Sequence, residues 1–161
     1  MFNIKNKTIF ILILLFSIFA LLAAYFIQYV LKHQPCNLCL IERIPYFVSI
    51  IVISFFLFTK KLGKPVLLIL SLVFFSAALI AFYHFGIEQG FIKESLVCDL
   101  NNQSNDLSKE ALLNQLKEMP VSCKDVTFKF LGLSLATFNI IISLILGVIT
   151  GKIFLTYEKN K

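Results

Sequence analysis

Four long apolar stretches, separated by polar or charged segments, dominate the pattern of this chain, over 8–31, 40–59, 66–87 and 130–150. A bilayer core of about 30 Å takes about 20 helical residues to cross, and each stretch is of that order. Backbone groups in lipid must find partners within their own segment, so the stretches predict helices rather than open strands. The fold class that follows is an all-α membrane protein, a four-transmembrane-helix bundle forming one domain over 1–161, with outer loops at 32–39 and 88–129. Small residues recur at helical spacing: Ala20 and Ala24; Ser71, Ala77, Ala78 and Ala81; Gly132, Ala136, Ser143, Gly147 and Gly151. Such positions let helix backbones approach closely in lipid. Within the second loop, Leu112, Leu113 and Leu116 form one stripe, with Ser108 as a cap and Pro120 as a stop. That pattern predicts a short amphipathic helix over 107–119, lying on the membrane surface or against the bundle.

Charge decides the orientation. Lys5, Lys7, Lys60, Lys61, Lys64, Lys152, Lys159 and Lys161 fall on one side, opposed only by Glu158. On the other side, 88–129 carries five lysines against seven acids, and the first loop region has Lys32 and Arg43 against Glu42. Lysine-rich short segments face the cytoplasm, so both termini are expected inside and both loops outside. Lys5 and Lys7 before the first stretch also suit a signal peptide, but its apolar run is too long and no clear small-x-small cleavage site follows. The 161 residues are 58% hydrophobic and 15% charged, with a net charge of +6. The lysines cluster at stretch ends, so the basic balance points to a membrane and not to nucleic acid.

All four cysteines map to the outer side: Cys36, Cys39, Cys98 and Cys123. An even count in a compartment that tolerates disulfides predicts two bridges. Closing the 25-residue separation between Cys98 and Cys123 is worth about 3.5 kcal/mol by the chain-entropy argument, so bracing alone is one reading of that pair. Bridging Cys36 to Cys39 constrains almost nothing, and close pairs of this kind are redox or metal sites. A four-cysteine zinc site normally uses two close pairs, which this chain lacks, although His33 offers a substitute ligand. Redox chemistry is therefore expected, with no metal.

Pro35 precedes the pair and apolar helix follows, so the cysteines sit at a helix start, where unpaired N–H groups favour a thiolate. Arg43, four residues beyond Cys39, would share its face in a continuous helix and adds to thiolate stability or holds an anionic ligand. Pro45 removes the bond to the Ile41 carbonyl and predicts a kink. Keeping a disulfide oxidised requires an electron acceptor. There is no Gly-x-Gly-x-x-Gly and no Walker sequence. A pair at membrane depth near Tyr46 and Phe47 suits a bilayer-soluble quinone, ubiquinone or menaquinone. His84 and Glu88, four apart near the outer end of the third stretch, are candidates to bond a quinone oxygen or relay its protons. A polar, asparagine-rich stretch over 99–105 beside Cys98 is expected to let a partner thiol reach that sulfur.

The chain resembles the DsbB family of bacterial membrane enzymes. The resemblance rests on Pro35-Cys36-Asn37-Leu38-Cys39 followed by Glu42-Arg43-Ile44-Pro45-Tyr46, on Tyr83-His84-Phe85-Gly86-Ile87-Glu88, on Ser122-Cys123, and on Phe130-Leu131-Gly132-Leu133-Ser134 with Asn139. It implies an inner-membrane enzyme that reoxidises a periplasmic DsbA-like thiol oxidase and passes the electrons to a membrane quinone. By the same resemblance, the partner attacks Cys98, Cys123 engages Cys36, Cys39 faces the quinone and Arg43 supports it. The asparagine-rich outer loop departs from the family. Three other readings compete. One is a vitamin K epoxide reductase-like enzyme, which places its Cys-x-x-Cys late in the bundle. The others are a non-enzymatic scaffold braced by two disulfides, and the zinc site.

Overall fold

Each of the four apolar stretches folds as helix. The computed structural model describes residues 4–59, 64–93, 98, 122–124, 128–130 and 132–159. In chain order the elements are α1 (Ile4–Tyr29), α2 (Asn37–Ile41), α3 (Ile44–Thr59), α4 (Lys64–Glu88), β1 (Lys129–Phe130), β2 (Leu133–Ser134) and α5 (Leu135–Lys159). Four helical spans are long and apolar enough to cross a membrane: Thr8–Tyr29, Asn37–Thr59, Pro65–Glu88 and Leu135–Thr156. The amphipathic helix expected over 107–119 lies outside the described residues.

Two boundaries differ from the pattern-based expectation. The second span starts at Asn37 and is broken at Glu42 and Arg43, so it is a one-turn helix followed by a longer one. Pro45 has no N–H, and it sits as the second residue of α3, where none is needed. The fourth helix begins at Leu135, not at 130. Two two-residue strands pair antiparallel before it instead, Lys129 with Ser134 and Phe130 with Leu133. The turn between them needs Gly132, whose φ of 82° L-residues rarely adopt. Gly132 is thus a turn residue and not a helix-packing position.

The small-residue stripe of α4 does face the bundle: Ala77, Ala78, Ala81 and Ser71 are all buried, as are Ala136 and Ser143 on α5. The tightest approach is at Ser71, whose Oγ donates to the Gly147 carbonyl at 3.4 Å. A Cβ on Gly151 would lie 3.2 Å from that same oxygen. Ala20 and Ala24 of α1 are only half-buried. Hydroxyls inside the bundle close on their own helix, Ser17 on Ile13 and Thr150 on Leu146, both at 2.8 Å. That satisfies them where no water is available. The apolar core gathers Phe10, Ile13, Ile53, Phe56, Leu67, Leu70 and Phe74, with Phe10 and Phe56 tilted at 5.1 Å between centroids. Leu12, Phe19, Leu22, Phe55, Phe58, Leu79 and Phe82 point outward. An apolar exterior of this extent is unsuited to water and suited to lipid tails.

The chain turns sharply at the cysteine end. Lys32, at φ 57°, ends the segment after α1, and the His33 ring meets Phe128 edge-on at 5.4 Å. At the end of α4, Gly90 takes φ 76°, Phe91 N–H returns to the Gly86 carbonyl and Gly90 N–H to that of Ile87. This is a Schellman cap, and it stops the helix at Glu88, with Gly90 as its left-handed residue. Ile92 folds back over Gly86, where a Cβ would stand 2.6 Å from its Cδ1. Gly86 thus leaves room for the chain to fold back over the end of α4.

Candidate functional site

The cysteine end is built by four segments that are distant in sequence. Cys36 caps α2: its Sγ accepts the Cys39 N–H at 3.1 Å while bridging to Cys39. A second bridge joins Cys98 to Cys123, with Cα atoms 5.6 Å apart. Both bridges belong to one buried cluster with Leu38 and Ile87, against which Cys39, Ile41 and Tyr83 pack. Cys36, Cys98 and Cys123 are all at most 5% exposed, and Cys39 is half-buried. The two expected disulfides are present, and they share one end of the bundle.

Beside Cys36 lies a polar network that spans the bundle. His84 of α4 places Nε2 3.5 Å from Cys36 Sγ. Its Nδ1 is 2.7 Å from Glu42 Oε1. The other carboxylate oxygen, Glu42 Oε2, accepts from Asn139 Nδ2 of α5 at 2.8 Å. Asn139 Oδ1 in turn accepts from the Tyr46 hydroxyl of α3 at 2.6 Å and from Ser143 at 3.1 Å. A carboxylate only accepts, so Glu42 fixes Nδ1 as the protonated ring nitrogen of neutral His84 and leaves Nε2 facing the sulfur. It likewise fixes the amide orientation of Asn139. Glu42, His84, Asn139, Tyr46 and Ser143 are all buried. Charged and polar groups at membrane depth are costly, and a fully bonded cluster of them marks a functional site.

Glu88 completes the surroundings of the imidazole. Its Oε1 lies 3.8 Å from His84 Nε2, its side chain is 5% exposed, and its Oε2 has no partner among the described residues. A buried carboxylate of this kind is a counter-charge waiting for a cation.

Arg43 points the other way. The break at 42–43 interrupts the regular helix between Cys39 and Arg43. Its Nη1 donates to Gln28 Oε1 of α1 at 2.7 Å, and the guanidinium stands 5.0 Å from the Tyr25 ring centroid. Tyr25, Gln28, Tyr29, Leu40, Arg43, Ile44 and Phe47 line a groove of about 260 Å³ between α1 and the α2–α3 break. Leu40, Ile44, Phe47 and Tyr29 are exposed on the outer surface, so the groove opens where lipid would lie. Of the three expected ligand-binding residues, Arg43 lines this groove. His84 and Glu88 sit together on the Cys36 side and do not line it.

Cys36, Cys39 and His84 present three potential metal donors within 4.8 Å of one another. The histidine is His84 and not the His33 that proximity in sequence suggests.

Sequence reasoning found the cysteines, Arg43 and the His84–Glu88 spacing. It missed the central place of Glu42, read only as a neighbour of Arg43, and the roles of Asn139, Tyr46 and Ser143. A usable signal was present: Gln28, Glu42 and Asn139 are strongly polar residues inside apolar spans, and all three are bonded across helices.

Comparison with known proteins agrees with this geometry. A family model described as disulfide bond formation protein DsbB matches residues 6–153. The uncharacterized protein RP370 of Rickettsia prowazekii (strain Madrid E) is 27% identical over 159 residues, covering 98% of this chain and 92% of that protein.

Proposed function

The chain belongs to the DsbB family of membrane disulfide-bond-forming oxidoreductases, and on that premise we propose that it oxidises a periplasmic DsbA-like dithiol protein and passes the two electrons to a membrane quinone. The supporting observation is the shared burial of both disulfides at one end of the bundle. Two bridges that only braced loops would have no need to meet.

The exchange runs in balanced steps. A partner thiolate attacks Cys98 Sγ, forming a mixed disulfide and releasing the Cys123 thiolate. Cys123 attacks Cys36 Sγ, forming a Cys36–Cys123 bridge and releasing the Cys39 thiolate. The partner's second thiolate leaves with its own disulfide closed and frees Cys98. Cys98 then attacks Cys123 Sγ, restoring the second bridge and leaving Cys36 as a thiolate. The partner has lost two electrons, and Cys36 and Cys39 hold them. Cys98 is buried, so the first attack requires its segment to open.

The groove beside Arg43 fits the acceptor. It has aromatic walls from Tyr25, Tyr29 and Phe47, a charged donor at Arg43 and an amide at Gln28, and it admits a ring headgroup with its tail in lipid. A quinone bound there supplies the two-electron sink. Arg43 would hold a quinone oxygen, with Tyr25 and Gln28 keeping the guanidinium in place. In this reading the cysteine end faces the periplasm of a bacterial inner membrane, and both termini face the cytoplasm.

Mixing the purified protein with reduced DsbA-like protein and quinone tests the proposal. The expected result is a loss of quinone absorbance, one quinone per partner disulfide formed; no loss above the protein-free rate would overturn it. Arg43→Ala is expected to raise the KM for quinone about tenfold, the value of one charge-assisted hydrogen bond, and to leave that for the partner protein nearly unchanged. The opposite split would make Arg43 a docking residue for protein. Cys98→Ala should abolish the mixed disulfide on non-reducing gels, whereas Cys123→Ala should accumulate it. Equal accumulation by both variants would contradict the order of attack.

A further inference from the structure

The geometry points to a Cys36–His84–Glu42 triad: His84 is a catalytic residue that exchanges a proton with Cys36, and Glu42 and Asn139 are positioning residues that hold its ring. The inference deepens the exchange proposed above and assigns a group that neither the electron route nor the groove employs. Its elements are those of an activated nucleophile, a sulfur within reach of a base that a third group orients.

Four observations carry it. Nε2 of His84 is 3.5 Å from Cys36 Sγ, a distance suited to a hydrogen bond with sulfur. Nδ1 is bonded to Glu42 at 2.7 Å, so in the neutral ring Nε2 is the nitrogen with a free lone pair. Glu42 is itself locked by Asn139, which Tyr46 and Ser143 hold from α3 and α5, so the ring has little freedom to turn away. Cys39 N–H donates to the same sulfur at 3.1 Å, a second donor aimed at Cys36 and not at Cys39.

The step is an internal proton transfer. In the reduced pair, Cys36 thiol gives its proton to His84 Nε2, leaving a thiolate beside an imidazolium; no proton is drawn from solvent. The groups facing the imidazolium are Glu42 from the α2–α3 break, Glu88 on α4, Cys36 and Cys39 at the start of α2, and the backbone of Cys123. The Tyr46 phenol lies one hydrogen bond beyond Asn139. Two carboxylates therefore flank the cation, Glu42 at Nδ1 and Glu88 with its Oε1 3.8 Å from Nε2.

The test follows Cys36 alone. The full chain is reduced with a phosphine in detergent, treated with iodoacetamide across pH 5.5–10 (roughly the range that brackets thiol titration), and mapped by peptide mass spectrometry. The unaltered protein is expected to alkylate Cys36 at pH 6 at least about tenfold faster than an ordinary thiol, whose pKa is about 8.5. His84→Gln keeps the side-chain size but cannot hold the proton. It should move the half-rate point up by about one pH unit or more, with Glu42→Gln moving it in the same direction by less. A Cys36 profile centred near the ordinary thiol value in the unaltered protein overturns the inference, and that arm does not depend on any variant folding. An unchanged profile in folded His84→Gln overturns it as well. Neither arm involves quinone or a partner protein, so a failure here is separable from a failure of the electron route.

Discussion

Cys39→Ser is expected to reduce quinone consumption to the uncatalysed rate. In the proposed route the electrons reach the lipid carrier through the Cys36–Cys39 pair, because the other two sulfurs are bridged to each other. A serine oxygen cannot form or break the bridge, so no partial activity is left for a neighbouring group to supply. Of the two sulfurs in the pair, Cys39 is half-buried and Cys36 is buried against His84, which leaves Cys39 the one with access to the outside of the cluster. Stopped-flow quinone absorbance measures the effect. A rate within tenfold of the unaltered protein's, roughly 1.4 kcal/mol in barrier, would contradict this assignment.

Glu42→Ala is expected to cost about 3–5 kcal/mol, the largest stability loss of any single substitution at the cysteine end. The carboxylate accepts from two buried donors, His84 Nδ1 and Asn139 Nδ2, on two different helices. Removing it leaves both without a partner, at about 1–3 kcal/mol each. It also takes away the charge that faces the imidazole while Glu88 stays buried nearby. No water is at hand in a bilayer to replace the lost bonds. The thermal unfolding midpoint in detergent should fall by about 10 °C. A midpoint unchanged within error would show that the network is not bonded as described.

The bundle was legible because lipid imposes a length and a composition that few other structures share, and 8–29, 66–87 and the bulk of the other two stretches are helices. The cysteine end was legible because charge asymmetry put all four sulfurs on one side before any geometry was known. Less was readable where apolar character alone had to separate helix from strand. Phe130-Leu131-Gly132-Leu133 is as apolar as the helix after it, yet Phe130 pairs with Leu133 as strand and Gly132 takes a left-handed φ. The partners of Glu42 were not readable either. His84 and Asn139 are 42 and 97 positions away, and only the packing of α4 and α5 brings them to one carboxylate. Nor was the bond from Arg43 to Gln28 of α1, 15 positions back, readable from spacing within one helix.

The central claim is that the two bridges lie close enough to exchange. It is tested by leaving one sulfur in each, with Cys39→Ser and Cys98→Ser combined in one chain so that Cys36 and Cys123 alone remain. Mild oxidation of the purified protein, followed by non-reducing digestion and mass mapping, should recover a Cys36–Cys123 peptide pair from the monomer in near-quantitative yield. Free thiols at both positions, or linkage only between separate molecules, would contradict the account.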